Sequence, residues 1–301
     1  MSRPRRVPTA TALAATLVLG ACAASARAPS ARGCPVASVE IVVTVDQWGD
    51  IVRSLAGPCG RVVSIVTSSS GDPHDYEPTP ADGAVFAKAQ MVVKNGLQYD
   101  AWADKAIAAL AHRPIVVDAG RVVGAKDGDN PHLWYGPDIV ARVADAVTEA
   151  LTNAAPTAAA FFAAQHGAWL IATQSYRDAV ARARATATGK SYAATEPVFD
   201  LMAAAIGMTD TTPNGFRRAA ANGSDPAPAD VAAFEKVLDQ HKVAVLIYNV
   251  QTQGAIPEQI RKKAQNAKIP VVEVTETVKS GATGFVNWQL AQLDALTGAL
   301  R

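Results

Sequence analysis

Apolar positions along the chain alternate between two patterns. Runs rich in β-branched residues, Val39–Val45, Arg61–Thr67, Met91–Lys94 and Pro114–Asp118, read as strands covered on both faces. Between them Gln47–Leu55, Pro80–Ala89 and Asp100–Ala111 read as helices, with Thr79 placed to cap the second and Pro80 at its first position. Strands separated by helices predict a parallel sheet with helices packed on both sides. From Pro137 to about Thr188 the strand signal stops. Pro137–Asn153 reads as one helix, and Pro156 to about Ala185 as another of roughly 30 residues with no internal proline, about 45 Å long at about 1.5 Å per residue. That exceeds the width of a small domain, so the segment is expected to bridge two lobes. Alternation then resumes: strands at Ser191–Thr195, Val243–Tyr248 and Pro270–Val274, helices at Pro197–Ile206, Pro228–His241, Pro257–Ala267 and Phe285–Leu300. The expected class is α/β, two βα lobes with parallel sheets (38–155 and 189–301) joined by a long rigid backbone helix (156–188).

The first 37 positions belong to neither lobe. Arg3, Arg5 and Arg6 precede an apolar run from Ala10 to Leu19, too short to span a bilayer, which takes roughly 20 residues. The run ends in Leu19-Gly20-Ala21-Cys22, which resembles a bacterial lipobox, with cleavage before the cysteine and a lipid on its thiol. Residues 1–21 are therefore expected to be a lipoprotein signal peptide, Cys22 the anchor, and 22–37 a tether, small and proline-interrupted at first. This places the body on the extracytoplasmic face of the membrane. There the two remaining cysteines, Cys34 and Cys59, are expected to form a disulfide that closes the first strand–helix unit; two buried thiols are the alternative.

Composition narrows the chemistry. Over 301 residues, 49% hydrophobic and 18% charged side chains suffice for two cores. Without the three leading arginines, 25 basic side chains face 27 acidic ones, which leaves no field to attract nucleic acid. In open parallel sheets, ligands bind beyond the carboxyl ends of the strands. There the first half offers Pro73-His74-Asp75-Tyr76-Glu77-Pro78 and Asn130-Pro131-His132-Leu133-Trp134, and the second Thr195-Glu196-Pro197 and Thr275-Glu276-Thr277. Taken singly, each has an ordinary reading: a histidine in an exposed loop, an acid at a helix N-terminus. Together, two imidazoles and two carboxylates can neutralise and coordinate a divalent ion. Glu273 competes with Glu276; Asp72, Asp75 and Asp100 are candidates to orient an imidazole. Tyr76 and Trp134 either wall the site or belong to the core. His112, His166 and His241 read as structural.

The order of these motifs around a long helix resembles the zinc/manganese solute-binding proteins of ABC importers, from about residue 38 to the end. The resemblance implies two lobes with one metal in the interlobe cleft, ligated by His74, His132, Glu196 and Glu276; at the last position the family commonly has Asp. It also implies an ABC permease as membrane partner, and a monomer is expected. Two carboxylates lean toward Mn²⁺, the affinity order toward Zn²⁺. An enzyme is not expected: neither His-Glu-x-x-His nor Gly-x-Ser-x-Gly occurs. A binding protein for a chelated metal or vitamin is the alternative, and it leaves the four ligand candidates unexplained.

Overall fold

A computed structural model describes residues 1, 33–67, 76–252, 254–278 and 283–301. His74, Asp72, Asp75, Cys22 and the signal segment lie outside the described residues. All elements below belong to the body formed by residues 31–301.

The first lobe runs β1 (Val39–Val45), α1 (Asp46–Ala56), β2 (Gly60–Val66), α2 (Pro80–Phe86), β3 (Met91–Lys94), α3 (Ala101–Ala108), β4 (Ile115–Asp118), α4 (Ala119–Val123) and α5 (Pro137–Ala154). α6 (Ala159–Ala172) and α7 (Gln174–Ala187) connect it to the second. There β5 (Ser191–Ala194), α8 (Asp200–Ala205), β6 (Thr209–Asp210), α9 (Asn214–Ala221), α10 (Pro228–Asp239), β7 (Val245–Asn249), α11 (Ala255–Asn266), β8 (Val271–Val274) and α12 (Phe285–Ala299) follow. Each lobe has a four-stranded sheet, ordered β2-β1-β3-β4 and β6-β5-β7-β8, and every described pairing is parallel. In each sheet the chain steps outward from the first strand, then crosses back to its other side. The strand order therefore reverses between β1 and β3 and between β5 and β7, where open sheets leave a crevice.

Local chemistry explains the elements that carry the site. β1 is buried at every position but Glu40, as expected of a parallel strand with helices on both faces. In α1, Trp48, Ile51, Val52 and Leu55 form one buried stripe. Thr79 and Asp82 close a capping box at the start of α2, with Pro80 at the first turn. The long helix expected from Pro156 is present as a 3-10 turn (Pro156–Ala158), α6 and α7, with an interruption of one residue, Thr173. Its hydroxyl donates to Trp169 O at 2.9 Å and accepts from Arg177 at 2.8 Å, a side-chain competition that loosens a helix locally. Backbone bonds continue across it, Thr173 N to Trp169 O at 2.9 Å and Arg177 N to Thr173 O at 3.2 Å.

One apolar cluster extends through both lobes, from Val42 and Trp134 through Phe162 to Phe199, Val274 and Trp288. A second, centred on Phe216, Phe234, Leu246 and Ile260, belongs to the second lobe alone. The Asp50 carboxylate on α1 accepts from Phe285 N at 2.8 Å and so anchors the start of α12 to the first lobe. Gly284 fits there because its φ is 90° and any Cβ would meet Asp50 Oδ2 at 2.6 Å. Cys34 and Cys59 are joined by a disulfide with Cα atoms 4.8 Å apart, which ties the start of the body to the turn before β2. Among the described residues, no helix is long and apolar enough to cross a membrane.

Candidate metal centre

His132 is held by the loop between α4 and α5. Asn130 Oδ1 accepts from His132 N at 3.0 Å, and Asn130 Nδ2 donates to Pro197 O in the opposite lobe at 2.7 Å. These two bonds fix which end of the amide is oxygen. That same oxygen lies 2.7 Å from His132 Nδ1. A carbonyl oxygen only accepts, so Nδ1 carries a proton, and in neutral imidazole the lone pair is on Nε2. The ring packs edge-on against Tyr99 and Trp134. Trp134 is fully buried, so it is both core and wall.

Nε2 points across the cleft at Glu276. Glu276 follows β8, and its backbone N–H donates to Gln251 Oε1 at 2.6 Å while its carbonyl accepts from Gln47 Nε2 at 3.0 Å. Tyr99 OH donates to Glu276 Oε1 at 3.0 Å, and His132 Nε2 lies 3.2 Å from the same oxygen. Both side chains are buried. An imidazole lone pair and a carboxylate lone pair facing each other in a buried site repel unless a cation stands between them, either a proton or a metal ion. A separation of 3.2 Å is also that of two ligand atoms each about 2.1 Å from one ion with an angle of about 100°.

Glu196 approaches the same cleft from the end of β5. Its Oε2 accepts from Asn249 Nδ2 at 2.5 Å and from the Thr252 hydroxyl. Burial pushes the Glu196 carboxyl above the ordinary carboxylate range; the bonds from Thr252 and Asn249 pull it down, the negative charge of Glu276 raises it further, and His132 opposes that. The cleft, about 450 Å³, is lined by His132 and Asn130 on one side and by Glu196, Asp200 and Arg217 on the other. Among the described residues, no three His, Cys, Asp or Glu side chains converge closely enough to hold an ion. The structure thus brings His132 and Glu276 into contact and Glu196 to the same cleft, while His74 lies outside the described residues.

The other candidates separate cleanly. Glu273 points to solvent beside Arg261, so Glu276 is the acid facing the cleft. Asp100 accepts from Thr44, Asn95 N and Gly96 N and so shapes the loop after β3; among the described residues it bonds no imidazole. Tyr76 packs on Trp102 and donates to Asp82. His112 contacts Ala89 O, His166 pairs with Asp145, and His241 sits at positive φ after α10. Sequence reasoning missed Tyr99, Asn130, Gln47, Gln251, Asn249 and Thr252. Only two carried a usable signal: Asn130 stands two residues before His132, and Asn249 at the carboxyl end of a strand beside the order reversal.

Residues 41–299 match the family described as zinc-uptake complex component A, periplasmic. The chain belongs to this family. The ZnuA family is one of uptake components, not of enzymes. The chain is 19% identical over 261 residues to the high-affinity zinc uptake system protein ZnuA of Bacillus subtilis, covering 79% of this chain and 80% of that one. It is 26% identical over 137 residues to the manganese-binding lipoprotein MntA of Halalkalibacterium halodurans, where the match spans 44% of this chain and only 45% of the relative. The periplasmic zinc-binding protein TroA of Treponema pallidum superposes with a TM-score of 0.73 at 17% identity, over 87% of this chain and 99% of that one. At that identity the likeness concerns the fold, two parallel-sheet α/β lobes.

Proposed function

We propose that this ZnuA-family chain captures one divalent transition-metal ion, Zn²⁺ or Mn²⁺, outside the cytoplasmic membrane and hands it to the permease of an ABC importer. Its ligands are His74, His132, Glu196 and Glu276. The observation that carries this reading is the buried approach of His132 Nε2 to Glu276 Oε1 at 3.2 Å, with Nδ1 already committed to Asn130. A ligand histidine whose other nitrogen donates to a fixed oxygen is the usual arrangement around a protein-bound metal. Two imidazoles and two carboxylates leave a neutral site around a 2+ ion, which lowers the cost of burying the charge. Relatives named for manganese binding, iron binding and zinc uptake support the class of cargo.

Cys22 serves as the lipid anchor, residues 1–21 as the signal peptide, and residues 22–37 as the tether of a monomeric receptor. The body divides into lobes 38–155 and 189–301 around the helical segment 156–188. The test is competitive titration of chelator-stripped protein with Zn²⁺ and Mn²⁺, alongside His132→Ala. One ion per chain, lost or strongly weakened in the variant, supports the reading. Wild-type protein that takes up neither ion overturns it.

A further inference from the structure

We propose that the end of β7 and the loop after it, through Asn249 and Thr252, restrict Glu196 to ligation through a single oxygen and thereby set the site in favour of Zn²⁺ over Mn²⁺. The inference rests on the metal-capture reading above and concerns which ion that site selects.

A carboxylate oxygen has two in-plane lone pairs. On Glu196 Oε2 both are used, one by Asn249 Nδ2 at 2.5 Å and one by the Thr252 hydroxyl. The orientation of the Asn249 amide is settled by its other end: Oδ1 accepts from Gln251 N at 3.1 Å, so Nδ2 must face Glu196. Among the described residues, no hydrogen bond reaches Glu196 Oε1. Glu196 therefore offers a cation Oε1, and offers Oε2 only if one of these two bonds breaks. The same loop holds the second carboxylate's backbone. Gln251 Oε1 accepts from Glu276 N at 2.6 Å and Thr277 N at 2.9 Å, and its Nε2 donates to Thr277 Oγ1 at 2.8 Å. Four residues, Asn249–Thr252, thus position both acids of the second lobe.

Denticity bears on metal choice. Zn²⁺ has no geometric preference from its d electrons and is satisfied by four ligands. Mn²⁺ favours six, rich in oxygen, and can exceed four at a site of two imidazoles and two carboxylates when the carboxylates chelate with both oxygens. Holding Glu196 Oε2 in hydrogen bonds withholds one of those oxygens. The effect adds to the intrinsic preference of nitrogen and oxygen sites for Zn²⁺ over Mn²⁺.

The experiment compares wild type, Thr252→Val and Thr252→Ser. Valine keeps the side-chain shape and deletes the hydroxyl, which returns one lone pair to Oε2; serine keeps the donor. Zn²⁺ and Mn²⁺ dissociation constants are measured by chelator competition, and the Co²⁺-loaded proteins by visible absorption, intense for four-coordinate and weak for six-coordinate cobalt. Wild type should give the intense spectrum. Thr252→Val should lower the ratio of the Mn²⁺ to the Zn²⁺ dissociation constant on the order of tenfold and weaken the cobalt bands, while Thr252→Ser stays with wild type. A weak wild-type cobalt spectrum overturns the inference even if the variants do not fold. So does an unchanged ratio in Thr252→Val, or a Thr252→Ser that behaves as the valine does. Wild type that binds none of the three ions fails at the earlier step and takes the metal-capture reading with it.

Discussion

Asn130 is the residue whose replacement most directly probes the logic of the cleft. Its side chain makes three bonds: to His132 N at 3.0 Å, to His132 Nδ1 at 2.7 Å, and to Pro197 O in the other lobe at 2.7 Å. Asn130→Ala removes all three. At about 1 kcal/mol net for each neutral bond, the apo protein should lose about 2–3 kcal/mol of stability. The larger diagnostic is in metal binding. With Nδ1 unpinned, the ring is free to turn and to adopt the tautomer that puts the proton on Nε2. Loss of such an orienting partner typically weakens metal affinity by about 10–100-fold, or about 1.4–2.7 kcal/mol. Asn130→Asp is the control: it keeps an acceptor for Nδ1–H, sacrifices the donor to Pro197, and should bind metal closer to wild type than alanine does. Competition titration reads the affinities, and nitrogen-15 NMR of the imidazole reads the tautomer. Wild-type affinity in Asn130→Ala, or a metal-loaded His132 protonated on Nε2, would refute the argument.

Glu196 supplies a pH-dependent prediction. Its carboxyl is raised on folding, chiefly by burial, so its contribution to stability is complete below the unfolded value of about 4.3 and is lost as pH rises through the folded one. Metal-free Glu196→Gln should therefore be more stable than metal-free wild type at pH 7.5, with the difference shrinking toward pH 4, in urea melts with chelator present; a pH-independent difference would contradict this. The Cys34–Cys59 bridge closes a separation of 25 residues, for which loop-closure entropy gives about 3–4 kcal/mol. The Cys34→Ser/Cys59→Ser double variant should show that loss in its denaturation midpoint, and a loss under 1 kcal/mol would mean the unfolded chain is already constrained. Acidification should release the ion, because protons compete with the metal for the imidazole nitrogens; retention at pH 4 would argue against histidine ligation.

Legibility followed the range of the interaction. β1 and β3 stand where their β-branched runs stand, Val39–Val45 and Met91–Lys94, because a strand buried on both faces leaves an unbroken apolar signature. The start of α2 was visible in Thr79-Pro80, since capping is local. β6, two residues long, and α4, five, were too short to show a period, and α9 starts directly after Pro213 with only Phe216 fully buried. The break at Thr173 depends on where one hydroxyl points and on Arg177 reaching it, neither visible as a helix stop. At the site, residues following strands could be picked out by the open-sheet rule, and His132 and Glu276 do meet. Their partners could not. Tyr99 reaches Glu276 across 177 positions and Gln47 across 229; bonds of that span arise from how the lobes pack and leave no mark on neighbouring residues.

Metal capture by this cleft requires an ion between His132 and Glu276. Anomalous diffraction from crystals loaded with Zn²⁺ or Mn²⁺, with data on both sides of the metal's absorption edge, tests it directly. One strong peak per chain is expected, about 2.0–2.3 Å from both His132 Nε2 and a Glu276 carboxylate oxygen. A metal-loaded crystal whose peak lies elsewhere, with Nε2 and the carboxylate still joined by a proton, would contradict it.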